Sequence, residues 1–213
     1  MQFGYGTPLA LLLSILLSGG DTVVGFAAPR APIQVGQKIP WADLHWGFPP
    51  EKINVPLYTA ERSLIVVGVS GAFLPNKAVP SYLDPENQKI LKDELDIKEV
   101  LIYGVNDGAV MSAYAIKSKM QGSIVSMMAD PSGEFTFECG MQHSPLDTRF
   151  GTIARSKPFA MYVVNNIVKH VAIADGDHAP EDVTCAPAMI QAIRTLNEAT
   201  KTDVKKEEIA MSR

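Results

Sequence analysis

Short apolar, β-branched runs alternate along this chain with longer stretches in which apolar residues recur every three or four positions. Ser63–Val69 (SLIVVGV) is hydrophobic at consecutive positions, the pattern of a strand covered on both faces. Residues 100–105 (VLIYGV), 124–128 (IVSMM) and 159–164 (FAMYVV) read the same way, and 167–173 follows Asn165-Asn166 as the return strand of a hairpin. Between them the spacing predicts helices over 85–95 and 108–119. The second places Val110, Met111, Tyr114 and Ala115 toward a core behind Asn106-Asp107, which can cap it. A third helix is expected from Pro187, running through Ile190, Ile193 and Leu196. Strands alternating with helices, followed by a hairpin and a terminal helix, predict an α/β fold: a central mixed sheet with helices on both faces. Residues 202–213 are charged and expected to form a solvated helical or frayed tail.

The apolar run 9–17 (LALLLSILL) breaks this pattern. Nine residues are too few to span a bilayer as a helix but suit the hydrophobic region of a signal peptide, with Val23-Val24-Gly25 as its cleavage site. Phe26-Ala27-Ala28-Pro29-Arg30 resembles the phenylalanine-led start of the transit peptide in bipartite plastid leaders of algae. That resemblance implies a plastid address. The alternative is that 26–32 is a linker exposed by secretory cleavage, with the protein secreted or held in an endomembrane lumen. The expected organisation is a leader over 1–31, one domain over 32–197 and a charged tail over 198–213, with no membrane span in the mature chain.

Composition narrows the function classes. The 213 residues are 46% hydrophobic and 20% charged, enough chain to bury a core without metal or disulfide staples. The net charge of −4 and the absence of a basic block longer than Lys205-Lys206 argue against a nucleic-acid partner. His45, His143, His170 and His178 share no metal-ligand spacing, and Asp175-Gly176-Asp177-His178 reads as a turn, so no metal or cofactor is expected. Cys139 and Cys185 lack C-x-x-C spacing and read as buried or unpaired thiols.

Several pieces in order then carry a resemblance. They are Pro32-Ile33-Gln34-Val35-Gly36 with Ile39-Pro40, Gly71-Ala72-Phe73 with Pro75, and Val105-Asn106-Asp107. Ala129-Asp130-Pro131-Ser132-Gly133 with Phe135 follows, then Arg155-Ser156 with Phe159-Ala160-Met161. The chain resembles a type II, atypical two-cysteine peroxiredoxin, a thioredoxin-fold antioxidant enzyme that reduces peroxides. The resemblance implies a P-G-A-F-T-P-x-C segment whose thiolate, lowered in pKa by a helix N-terminus and an arginine, attacks the peroxide oxygen.

This chain reads Ser70-Gly71-Ala72-Phe73-Leu74-Pro75-Asn76-Lys77 there. Lys77 stands at the cysteine, Leu74 at the threonine and Pro158 at the arginine, with Arg155 and Lys157 nearby. An amine cannot run the thiolate, sulfenic acid and disulfide cycle, so a degenerate catalytic site and a non-catalytic binding or accessory role in a plastid protein assembly are expected. Phe73, Pro75, Asn76, Lys77 and Arg155 are the candidate binding residues. Family members pair around these loops, which implies a homodimer or a different protein partner. The alternative is a thioredoxin-dependent peroxidase acting in peroxide detoxification and redox homeostasis through Cys185 or Cys139. Cys185 lies near where some members carry a resolving cysteine, and a Cys139–Cys185 disulfide is left open.

Overall fold

A computed structural model describes residues 30–143, 153–174 and 181–211. Its centre is a seven-stranded mixed sheet in the order β2-β1-β5-β4-β3-β6-β7, comprising β1 (Asp43–Trp46), β2 (Glu51–Asn54), β3 (Ser63–Val69), β4 (Glu99–Gly104), β5 (Val125–Ala129), β6 (Phe159–Val164) and β7 (Ile167–Ile173). β3, β4 and β5 run parallel, while β6 and β7 form an antiparallel hairpin on one side and β1 and β2 another on the other. β6 and β7 coincide with the sequence expectation, and β4 and β5 lie within one residue of it.

Consecutive hydrophobicity in β3 follows from two cores. Ile65, Val67 and Val69 face a cluster with Ile102, Met111, Met189 and Ile193. Leu64 and Val66 face the opposite one with Leu101, Tyr103, Phe135 and Phe159. The first face is covered by α2 (Ala78–Leu83), α4 (Gly108–Lys117) and α6 (Ala186–Met211), the second by α1 (Val55–Thr59) and α5 (Glu134–Glu138). With both sides dry, residues 64–69 of β3 are all apolar or glycine, and only Ser63 at its partly exposed start is polar.

The helical expectations are adjusted in detail. Asp107 caps α4, its carboxylate accepting the Val110 N–H at 2.8 Å. α4 stops at Lys117 because Lys119 turns to φ +55°. The stretch expected as one helix over 85–95 is α3 (Pro85–Lys89) followed by a π-helical turn over Ile90–Glu94. α2 is the helix that the resemblance implied after residue 77; Pro80 sits inside it, yet proline in a first turn removes no intrahelical hydrogen bond. α6 runs unbroken from Ala186 to Met211. None of the described helices is long and apolar enough to cross a membrane.

Candidate functional site

Residues 70–77 leave the C-terminal end of β3 and lead into α2. Side chains from neighbouring elements hold the loop. Asn106, just past β4, accepts the Ala72 N–H on its Oδ1 at 3.0 Å. Asn76 Nδ2 donates to the Leu74 carbonyl at 3.0 Å and to the Tyr114 hydroxyl of α4 at 3.1 Å, and its Oδ1 accepts the Val79 N–H at 2.9 Å. Asn76 thereby caps the first turn of α2, and Lys77, formally the capping residue, makes no side-chain cap. Leu74 folds back over Gly71, where an added Cβ would lie 3.2 Å from Leu74 Cδ1.

Phe73 adopts φ +61°, sparsely populated for a bulky residue, at a strain of roughly 1–3 kcal/mol. Its ring, about half exposed, rests on Tyr114 with centroids 5.0 Å apart, and Lys117 Nζ lies 5.3 Å from its centre. Pro75 is exposed beside it. Trp46 and Phe48 of the β1–β2 hairpin are exposed as well. That hairpin lies over the start of α4, and a Cβ on Gly108 would meet the Gly47 carbonyl at 2.9 Å.

Lys77 Nζ reaches Asp182 Oδ1 at 2.9 Å, with both side chains 64% exposed. Asp182 belongs to a 3-10 turn (Glu181–Thr184) that leads into α6, and two more ties join the same segments. Tyr82 Oη donates to the Thr184 carbonyl at 3.0 Å, and the Ala186 N–H donates to Ser81 Oγ at 2.9 Å. A cation at a helix N-terminus is disfavoured, and the Asp182 carboxylate offsets that cost. Exposed ion pairs contribute about 0–1 kcal/mol, so Tyr82 and Ser81, not Lys77, supply most of the attachment.

Arg155 donates from Nη1 to the Val105 carbonyl, next to the Asn106 that holds Ala72. The fold therefore gathers Arg155 and the 70–77 loop at the end of β4. Pro158 immediately precedes β6, half-buried, and its carbonyl accepts the Ala174 N–H at 2.9 Å. Asp182 was missed from the sequence because nothing local marks a partner 105 positions from Lys77.

The two thiols are separated by the sheet. Cys139 ends α5 in the cluster with Tyr103 and Phe135, while Cys185 lies in the cluster with Tyr82 and Met189. Both are buried and unbridged. Burial, with Asp130 and Glu138 adding to it, pushes the Cys139 thiol well above its ordinary range. A disulfide needs Cα atoms within roughly 7 Å, and a sheet between the two residues prevents that. Oxidising the native chain is therefore expected to leave both as thiols, and a 139–185 cross-link in non-reducing peptide maps of native protein would contradict the placement.

His45 lies on β1, His143 beyond α5 and His170 on β7; the 175–178 turn, with His178, lies outside the described residues. Among the described residues no three His, Cys, Asp or Glu side chains come together as metal ligands.

Under the loops sits a buried polar group. Asp130 Oδ2 accepts from the Thr136 N–H at 2.9 Å and from Thr136 Oγ1 at 2.7 Å, and Asp130 Oδ1 has no hydrogen-bond partner among the described residues. Burial raises its pKa despite those donors. A carboxyl whose folded pKa lies above the unfolded one holds its proton more tightly in the native state. It favours folding fully at pH below the ordinary carboxylate range, and that contribution is lost as pH rises through the folded value. Urea melts are therefore expected to show Asp130→Asn gaining on the native chain between pH 4 and pH 7; a difference constant with pH would contradict this.

With the geometry in place, comparison with known proteins decides the family. No family model matches the chain. It is 30% identical over 152 residues to peroxiredoxin-2C of Oryza sativa subsp. japonica, covering 68% of this chain and 90% of that protein. The chain belongs to the peroxiredoxin family. Chloroplastic peroxiredoxin-2E of Arabidopsis thaliana is 29% identical over 168 residues, 75% of this chain and 70% of the relative. Among solved structures, peroxiredoxin 5 from Alvinella pompejana superposes with TM-score 0.67 at 26% identity, covering 77% of this chain and 99% of its own. Reduced Prx3 of Vibrio vulnificus in complex with hydrogen peroxide gives TM-score 0.65 at 24% identity, over 76% of this chain and 96% of that one, a likeness of fold. The architecture is the thioredoxin-like α/β fold that the motifs implied.

Proposed function

We propose that this peroxiredoxin-family protein acts by binding rather than by reducing peroxide, as a subunit or accessory of a plastid protein assembly. The observation that carries this reading is Lys77 at the head of α2, ion-paired to Asp182, where the family resemblance places the attacking thiol. An ammonium group has no lone pair to displace water from a peroxide and no sulfenic state to pass on. Leu74 and Pro158 stand at the other two catalytic positions and offer no side-chain donor to a peroxide oxygen. What remains is a well-built loop with exposed Phe73, Pro75 and Lys77, held by Asn76 and flanked by Arg155, suited to a protein partner or a second copy of the chain. The chloroplastic relatives and the leader-like first residues support the plastid.

The test is peroxide consumption by the purified chain with thioredoxin, thioredoxin reductase and NADPH. Consumption no faster than that by free cysteine is expected. Turnover at enzymatic rates would overturn the binding reading in favour of a thioredoxin-dependent peroxidase, and Cys185→Ser and Cys139→Ser would then identify the thiol.

A further inference from the structure

Four consecutive residues at the end of α5 each meet the first described residues of the chain. The Arg30 guanidinium stacks 5.1 Å from the centre of the Phe137 ring and pairs with the Glu138 carboxylate. The Cys139 carbonyl accepts the Ile33 N–H at 2.9 Å. Gly140, at φ +65°, has no room for a side chain, since an added Cβ would lie 2.2 Å from the Ala31 carbonyl oxygen and 2.9 Å from that of Arg30. Ile33 is buried, and the chain continues past the start of β7 and the β6–β7 turn through hydrogen bonds from Gly36 N to the Val168 carbonyl at 2.8 Å and from Ile39 N to the Asn166 carbonyl at 2.9 Å. Arg30 and Ala31 thus belong to the folded domain.

We propose that these two residues form a clamp that sets the inner limit of N-terminal processing: a peptidase removing a leader cuts on the N-terminal side of Arg30. This rests on the leader reading above. The cut is a hydrolysis, water giving the hydroxyl to the new carboxylate of the leader and a proton to the new amine of the domain. Hydrolysis after Ala31 would place that ammonium one residue from buried Ile33 and leave Glu138 without its cation, both unfavourable.

Two measurements test the clamp. Mass spectrometry of the mature protein from its source cells is expected to find a first residue between positions 18 and 30, past the apolar run and no later than Arg30; a start at 31 or later overturns the inference. Trypsin applied to the full chain is expected to cut after Arg30 at least tenfold faster in Glu138→Lys than in the native protein, with Glu138→Gln between them. Equal rates in all three, at unchanged melting temperatures, overturn the clamp. An unprocessed chain beginning at Met1 would overturn the leader reading alone, and the trypsin comparison would still decide the clamp.

Discussion

Lys77→Cys gains a thiol that iodoacetamide alkylates at least tenfold faster than either native cysteine. The expectation follows from exposure. The Lys77 side chain is 64% exposed, whereas Cys139 is fully buried and Cys185 is 7% exposed. Alkylation requires both access and thiolate, and burial denies both to Cys139. At neutral pH the folded variant should therefore take up label at one site, and at all three in urea. Equal labelling of the introduced and native thiols would show that the loop around Asn76 is not built as described. Peroxide is a stricter probe, because breaking its O–O bond needs donors aimed at the leaving oxygen. The single variant is expected to consume peroxide slowly, and the addition of Leu74→Thr and Pro158→Arg to raise the rate at least tenfold more. A single variant already matching the triple would mean that Arg155 or the loop backbone supplies the missing donors.

Gly68→Ala is expected to destabilise the core strongly by overpacking it. Gly68 is the penultimate residue of β3, and a Cβ there would fall 2.3 Å from Phe159 Cε1, 2.7 Å from its Cδ1 and 2.8 Å from Ser156 Oγ. Phe159 cannot retreat, since it is fully buried with Tyr103 at 6.0 Å between ring centroids. Overpacking of a dense core costs about 1–3 kcal/mol, and such a rigid contact belongs at the upper end. That is a fall in melting temperature of roughly 6–12 °C for a domain of this size. Combining it with Phe159→Leu should cost less than the two changes added separately, because the shorter side chain vacates the space. Strict additivity in that cycle would mean that the strand shifts instead of the ring.

Legibility in the sequence tracked burial. β3 and β6 were readable because both faces are dry and nearly every residue is apolar. The β1–β2 hairpin was not, since Glu51-Lys52-Ile53-Asn54 is an edge strand with little apolar content. α5 was missed because five residues cannot display a helical period. At the site, the motif containing Phe73, Pro75 and Asn76 was visible as a string, but its supports were not. Asn106 was legible only as part of a short motif, and the pairing of Lys77 with Asp182 joins distant segments that no local signal connects.

The three polar ties between α2 and the segment entering α6 have a consequence for how the molecule breathes. Because Lys77, Ser81 and Tyr82 all hold the stretch from Asp182 to Ala186, the head of α2 cannot open without releasing the start of α6. The two belong to one cooperative unit of local unfolding. Their amides should report a common opening free energy in hydrogen exchange. A loop tied into such a unit presents one rigid shape to whatever docks on it, so ordering it on binding costs little entropy.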